Sequence, residues 1–406
     1  MLSIAEVRAS ILSTVPSLGV ETVDYTEVVG RVLAESVVSP EDVPAFDNSA
    51  MDGYAVCGED VSRPGAELEV VADLPAGMVA SATVGRGQAI KIMTGAPIPE
   101  GADTVVRVED TSGGNGRVTI GPVVATGTYV RPAGGDVRLG AEVIAAGARC
   151  GPAHVGMLAA LGVTSPVVAR RPRVAILSTG DELRPVETTT LEPGMIRDSN
   201  RPMMAALLAD ADAEVVDLGR VGDDADQLRS SLSRSVAEAD VLITTGGVSM
   251  GDYDVVKAVL GDEPGVDFIG VAMSPGKPLG FGVVGGLPFF GLPGNPVSVV
   301  ISFEQFVRPA LLAMQGARHL LRPRAQGVAG ETFSSDPAKE AFLRARIVDH
   351  RSLEVVATGG QGSNVLSGVA QADCFVVVPV GRDVIDAGEP VTLELFRAAE
   401  SRGVDQ

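Results

Sequence analysis

Hydroxyl side chains recur between residues 174 and 298 in three loops, each placed directly after a short apolar run, and carboxylates sit in or near two of the three. Residues 174–177 lead into Ser178-Thr179-Gly180-Asp181-Glu182. Residues 241–243 lead into Thr244-Thr245-Gly246-Gly247-Val248-Ser249, with Asp252 and Asp254 just beyond. Residues 287–290 lead into Gly291-Leu292-Pro293-Gly294-Asn295-Pro296-Val297-Ser298. Carboxylates beside small-residue loops suit a divalent cation bridging protein and phosphate oxygens, and Glu182, Asp223, Asp252 and Asp254 are the candidates. Asp252 and Asp254 also have the spacing of N-caps for the helix that follows, and Asp223 and Asp224 share that ambiguity. Thr244 to Gly247 fits either an anion nest or a tight turn. Lys277, in Ser274-Pro275-Gly276-Lys277-Pro278, adds a cation close to two prolines that stiffen its backbone. Ser298 falls near the start of a helix opened by Pro296, where backbone N–H groups favour an oxyanion.

The elements that position these groups follow from periodicity. From residue 173 to about 316 the pattern is strand, loop, helix, repeated. Helices are expected over 200–208, 224–237, 255–260 and 297–314, with a further strand over 213–218. This alternation predicts a parallel sheet covered on both faces. In such a sheet, ligands bind outside the carboxyl ends of the strands, so all three loops would share one crevice. Their candidate contacts are Thr179, Gly180, Gly246, Gly247, Ser249, Pro293, Gly294, Asn295, Pro296 and Ser298. Residues 46–140 instead read as short strands between Gly/Pro turns, including 89–93 and 104–108. A helix is expected over 3–14, with Ser3 and Glu6 at capping-box spacing. A short helix leading to an extended segment is expected over 26–38, and a helix around 154–161. Strands return at 342–348, 353–357, 375–380 and 390–396. The domain reading is 1–18, an N-terminal helix packed on the α/β domain; 19–45 with 140–170, a linking and dimerisation domain; 46–139, an inserted mostly-β domain; 171–318, α/β; and 319–406, C-terminal β.

The 406 residues are 45% hydrophobic with no Trp, so the cores must be large and aliphatic. A net charge of −20 argues against a nucleic-acid partner, which needs a basic face. Cys57, Cys150 and Cys374, and His154, His319 and His350, are scattered, which gives neither a disulfide framework nor a zinc centre. Each Cys is expected to be a small buried hydrophobe. The uncharged stretch 278–303 is broken by Pro and Gly and does not read as a membrane helix. The opening residues read as a helix start rather than a leader, so a cytoplasmic enzyme is expected.

Seven sequence words occur in order across nearly the whole chain: DNSAMDGYA at 47–55, MTGAPIPEGAD at 93–103, RPAGGD at 131–136, STGDEL at 178–183, TGGVSMGDYD at 245–254, PGKP at 275–278 and GLPGNPVS at 291–298. Together they resemble the molybdopterin molybdenumtransferase family, MoeA and the E-domain of gephyrin. The resemblance implies a multidomain α/β fold with a central three-layer, molybdopterin-binding α/β domain. It implies Mg²⁺-dependent insertion of molybdate into adenylylated molybdopterin with release of AMP. It also implies a homodimer whose site joins the α/β domain of one subunit to the β module of the other. The family's functional residues fall on Asp52, Thr94, Asp136, Glu182, Asp223, Asp254 and Lys277. The molybdate pocket resembles Lys277, Ser298, Arg344 and Ser363. Many relatives carry a basic residue before the PGKP word, where this chain has Ser274. A tungstate-inserting paralogue, a molybdopterin adenylyltransferase and a non-enzymatic scaffold are the competing readings. The β segments flanking the α/β domain favour the insertase over the adenylyltransferase. Other proteins of molybdenum cofactor synthesis are possible partners.

Overall fold

The computed structural model describes residues 1–222, 224–248, 254–261 and 263–396. Its central sheet runs in the order Glu214–Val221, Arg173–Thr179, Val241–Thr245, Leu287–Leu292, Pro278–Val284, Val266–Gly270. The first four strands are parallel, as expected. Alternate side chains build two cores, which makes the unit three-layered. Val174, Ile176 and Ile243 face one core, with Met204 and Leu208 of the helix Asn200–Asp210. Ala175, Leu177 and Leu242 face the other, with Leu228 and Leu232 of the helix Ala225–Glu238. Asp224 caps that second helix, accepting from the Asp226 and Gln227 N–H groups.

The sheet is mixed rather than wholly parallel. Pro278–Val284 and Leu287–Leu292 form a hairpin, and Val266–Gly270 adds a second antiparallel strand. The turn between the hairpin strands is Gly285-Gly286, with φ of +57° and +89°. Positive φ at both central residues is the two-residue turn whose twist matches paired antiparallel strands. Pro278–Val284 lies in the uncharged, Gly-rich stretch, where periodicity gives no signal.

The helix that follows, Pro296–Met314, is apolar and 19 residues long, yet its most apolar stretch is 94% buried within the protein. It is a core helix. A π-helical turn, Phe303–Val307, interrupts it. The first helix, Ile4–Thr14, has the capping box expected of Ser3 and Glu6, and buries Ile4, Val7 and Ile11 in the same core.

The short helix expected at the start of 26–38 is a 3₁₀ turn, Tyr25–Glu27, and the extended segment after it ends in the strand Val37–Val38. Val37–Val38 pairs with Glu142–Ile144, and Val20–Thr22 pairs with Val167–Ala169. The two linking segments therefore fold together, around Leu33, Ile144, Leu158 and Val168. Between them a six-stranded sheet spans residues 53–120, with cores on both faces. The C-terminal strands Glu340–Asp349, Glu354–Ala357, Arg324–Ala329, Pro390–Leu395 and Cys374–Val378 close into a barrel, since the last pairs back with the first. The strand Met273–Ser274 of the α/β unit pairs parallel with this barrel at Glu340 and Ala341.

Cys150 and Cys374 are buried as expected, and burial pushes the Cys374 thiol up to about 12. Cys57 is not fully buried, and its sulfur accepts from Arg86 at 3.3 Å.

Charged groups tie the layers together. Glu304, on the π turn and 4% exposed, accepts two bonds from Arg322, at 2.9 and 3.0 Å. Arg322 also reaches Asp210 at the end of the helix Asn200–Asp210. Removing Arg322 leaves a buried carboxylate, so Arg322→Ala is expected to cost about 3–5 kcal/mol in urea unfolding. A loss of about 1 kcal/mol or less, typical of an exposed pair, would contradict this.

Asp240 accepts both terminal nitrogens of Arg170 at 2.8 Å and the Arg173 N–H at 2.8 Å. Burial raises its carboxyl pKa, but these donors outweigh burial and hold it below the usual range. Its stabilisation is present above the unfolded value of about 3.9 and is lost as pH falls through the lower folded value. Asp240→Asn should therefore lower Tm at pH 7, with the gap from wild type closing in acid. A gap independent of pH would disprove the linkage.

Candidate functional site

A cleft of about 980 Å³ opens at the carboxyl ends of the parallel strands. It lies where strand order reverses, between Arg173–Thr179 and Val241–Thr245, the switch point at which open α/β sheets bind ligands. The sheet delivers Thr179, Gly180 and Glu182 from one loop and Thr245, Gly246 and Gly247 from the next. The third loop contributes Pro293, Gly294, Asn295, Pro296 and Ser298. Asp254, Lys277 and Ser363 complete the expected set on these walls. Asp223 and Ser249, also expected here, lie outside the described residues, as does Asp252.

The loops are braced against one another. Ser178 and Thr245 share a hydroxyl hydrogen bond of 3.2 Å. The Gly246 N–H donates to the Leu292 carbonyl at 3.0 Å, so it is committed to the protein rather than to an anion nest. Gly246 and Gly247 have φ of +92° and +70°, and a Cβ on Gly246 would stand 2.7 Å from the Thr179 carbonyl oxygen. Only glycine fits that approach. Ser298 is 4% exposed in the first turn of its helix, and Lys277 is exposed on the opposite strand start.

Asp254 sits at the N-cap of Val255–Leu260, yet its side chain makes no capping bond. Among the described residues its Oδ2 is buried without a hydrogen-bond partner. A buried carboxylate oxygen with no donor is costly and marks a place for a cation or a ligand donor. Glu182 is exposed on the neighbouring wall. These hard oxygen ligands suit Mg²⁺. Among the described residues, however, no three His, Cys, Asp or Glu side chains converge.

Arg344 does not line the cleft. It is fully buried on the outer face of the barrel strand Glu340–Asp349, beside Phe342, while Ala341, Leu343 and Ala345 fill the barrel. Its Nη2 donates to the Gly360 and Gly362 carbonyls at 3.0 Å each, and Gln361 Oε1 accepts from its backbone N–H. Arg344 thus shapes the loop that carries Ser363. That loop docks on the α/β unit, because Asn295 donates to the Ser363 hydroxyl at 3.0 Å and the Val297 N–H to the Ser363 carbonyl at 3.1 Å. Among the described residues Nε and Nη1 of Arg344 have no hydrogen-bond partner, and burial lowers the pKa of its guanidinium.

Asp52, Thr94 and Asp136 are absent from the cleft lining, and Asp52 and Thr94 form a second polar patch. Asp52 accepts from the Thr94 N–H and hydroxyl, both at 2.7 Å, which hold its carboxyl below the usual range. The words that carry these residues interlock. Gly95 N–H donates to the Ser49 carbonyl, Arg131 pairs with Asn48, and Asp47 accepts from the Ala133 N–H. Asp136 is exposed, and its N–H donates to the Val43 carbonyl at 3.0 Å.

Sequence reasoning missed a stretch of the cleft wall, Arg197-Asp198-Ser199-Asn200. Asp198 is 2% exposed and accepts from Arg201, while Asn200 donates to the Gly294 carbonyl at 2.7 Å. The run of Asp, Ser and Asn before an apolar helix was the available signal. Lys339, Gln361 and Asn364 of the barrel also line the cleft.

Three family models match in chain order: MoeA N-terminal region (domain I and II) over 2–162, probable molybdopterin binding domain over 175–313, and MoeA C-terminal region (domain IV) over 326–396. The chain is 41% identical to molybdopterin molybdenumtransferase 2 of Mycobacterium tuberculosis, over 92% of this chain and 94% of the relative. It is 36% identical to molybdopterin molybdenumtransferase of Haemophilus influenzae, over 98% and 99%. The crystal structure of the molybdopterin biosynthesis moeA protein from Pyrococcus horikoshii superposes with a TM-score of 0.85 at 29% identity, covering 98% of this chain and all of that one.

Because the left-handed backbone at Gly246 fixes the cleft floor, Gly246→Ala is expected to destabilise the protein by about 1–3 kcal/mol. Thermal unfolding measures this, and a variant as stable as wild type would show that the turn relaxes freely.

Proposed function

The chain belongs to the molybdopterin molybdenumtransferase family, a family of transferases of molybdenum cofactor synthesis, and from that premise we propose that its cleft inserts molybdate into adenylylated molybdopterin and releases AMP. The observation that carries this reading is the unpaired Asp254 carboxylate oxygen on the same wall system as Lys277 and Ser298. The pairing suits a substrate with two kinds of anion, a pyrophosphate link and a tetrahedral oxyanion.

Each wall has a separate task in this reading. Lys277 and the Ser298 hydroxyl, at a helix N-terminus, hold the oxyanion. Thr179, Gly180, Gly246 and Gly247 seat the pterin-bearing substrate on the loops after the adjacent strands Arg173–Thr179 and Val241–Thr245. Glu182 and Asp254 would hold Mg²⁺, with Asp223 as a further candidate. When bound, the cation lowers the charge cost of P–O cleavage. A protonated carboxyl in the cleft would deliver protons to departing oxo groups as water. Arg344 keeps the loop bearing Ser363 in place. Asp52, Thr94 and Asp136 would complete the cleft of a second copy, which makes the working form a homodimer. The expected setting is the cytoplasm, beside the proteins that supply molybdopterin and receive the finished cofactor.

The test is a single-turnover assay of the purified protein with adenylylated molybdopterin, Mg²⁺ and molybdate, following AMP release and metal retention on the pterin. Molybdate-dependent AMP release is expected. Release driven by tungstate alone would mark a tungstate enzyme, and binding without release under either oxyanion would mark a scaffold. Asp254→Asn should lower the rate by about 10²-fold or more while leaving the oligomeric state unchanged. Full activity in that variant would remove Asp254 from the mechanism.

A further inference from the structure

We propose that Lys339, reaching over from the C-terminal barrel, supplies the second cation that grips the oxyanion substrate beside Lys277. The inference rests on the reading of the cleft as an oxyanion site. Its first support is placement. The strand Met273–Ser274 pairs with the barrel in parallel register, Met273 opposite Glu340 and Ser274 opposite Ala341. The Glu340 N–H also donates to the Ala272 carbonyl at 3.0 Å. Lys339 therefore stands one residue before the point where the barrel joins the strand leading to Lys277. Both lysines and Ser274 line the one cleft.

Charge supplies the second support. Among the described residues, the cations on the cleft walls are Lys277, Lys339 and Arg197. Arg197 donates its guanidinium to the Thr188 carbonyl, which occupies it. Arg344 lies behind the barrel loop, bonded to Gly360 and Gly362. A doubly charged tetrahedral oxyanion facing Lys277 alone would be half neutralised, and the hydroxyl of Ser274 adds no charge. Lys339 is the cation left to balance it.

The third support is how Lys339 is held. Its Nζ lies 2.7 Å from Asp336 Oδ2, with side-chain exposures of 24% and 45%. Asp336 is itself fixed by the Ala338 N–H at 3.0 Å, and the Lys339 N–H closes the turn on the Asp336 carbonyl at 3.1 Å. A partly exposed pair of this kind is weak and exchangeable. Asp336 thus parks the ammonium at the cleft rim, where an arriving dianion competes for it.

Equilibrium dialysis of molybdate against the full-length protein tests the assignment without turnover. Lys339→Gln should weaken binding about tenfold, the loss of one charge-assisted hydrogen bond. Ser274→Lys placed in the Lys339→Gln protein should restore it. Asp336→Asn should tighten binding, because it frees the lysine. If Lys339 served only the fold of its turn, Asp336→Asn and Lys339→Gln would both weaken binding, and the proposal would fall. It would fall equally if Lys339→Gln bound as wild type while Lys277→Gln lost affinity, and the oxyanion reading of the cleft would then stand. If the wild-type protein bound neither molybdate nor tungstate, that reading and this inference would fail together.

Discussion

The helix Pro296–Met314 can hold its place only because the charges along its middle are neutralised from three directions. At the π turn, Arg322 pairs with Glu304 and reaches Asp210, tying the turn to the helix Asn200–Asp210. Gln305 accepts from Arg8 of the first helix and donates to Glu394 of the barrel, which Arg324 also meets at 3.0 Å. Burial pushes the Glu394 carboxyl above its ordinary range, against the pull of Arg324 and Gln305. Such buried groups are tolerable only when every partner is in place. The helix carries Ser298 at its other end, so the same lock that joins the units sets one wall of the cleft.

The cleft is accordingly a composite. Its floor is the switch point of the α/β sheet, and its far wall is the barrel loop that Arg344 holds from behind. Asn295 and Val297 fasten the two through Ser363. The second polar patch, around Asp52 and Thr94, is a separate construction in which three sequence words cross-brace one another. Its acid is held ionised by an N–H and a hydroxyl rather than by a cation.

Much of this was legible in the residues, and the exceptions have physical causes. The three strand-loop words announced the cleft because parallel buried strands read as apolar runs and their loops need small residues. The capping box at Ser3 was a local signal and was found as read. The antiparallel edge was not, since Gly280, Gly282 and the Gly285-Gly286 turn dilute any period in that stretch. The contribution of Asp198 and Asn200 was hidden by the length of the segment before their helix. Lys339 carries no local signature at all. It becomes part of the site only through the pairing of Ser274 with Ala341, a long-range contact that no window of sequence contains. Arg344 was read as a pocket residue, whereas strand alternation turns it onto the buried face beside Phe342.

The two-residue strand Met273–Ser274 has a consequence for the order of events on the ribosome. Its hydrogen-bonding partner, the barrel strand Glu340–Asp349, is made later in the chain. Until then this short strand, which belongs to the barrel's sheet and not to the central one, lacks its partner, and the segment before Lys277 is held by Leu2, whose carbonyl accepts from the Ala272 N–H. Domains of a long polypeptide fold as they emerge. The barrel therefore supplies, late in synthesis, the backbone partner that fixes the strand leading to Lys277.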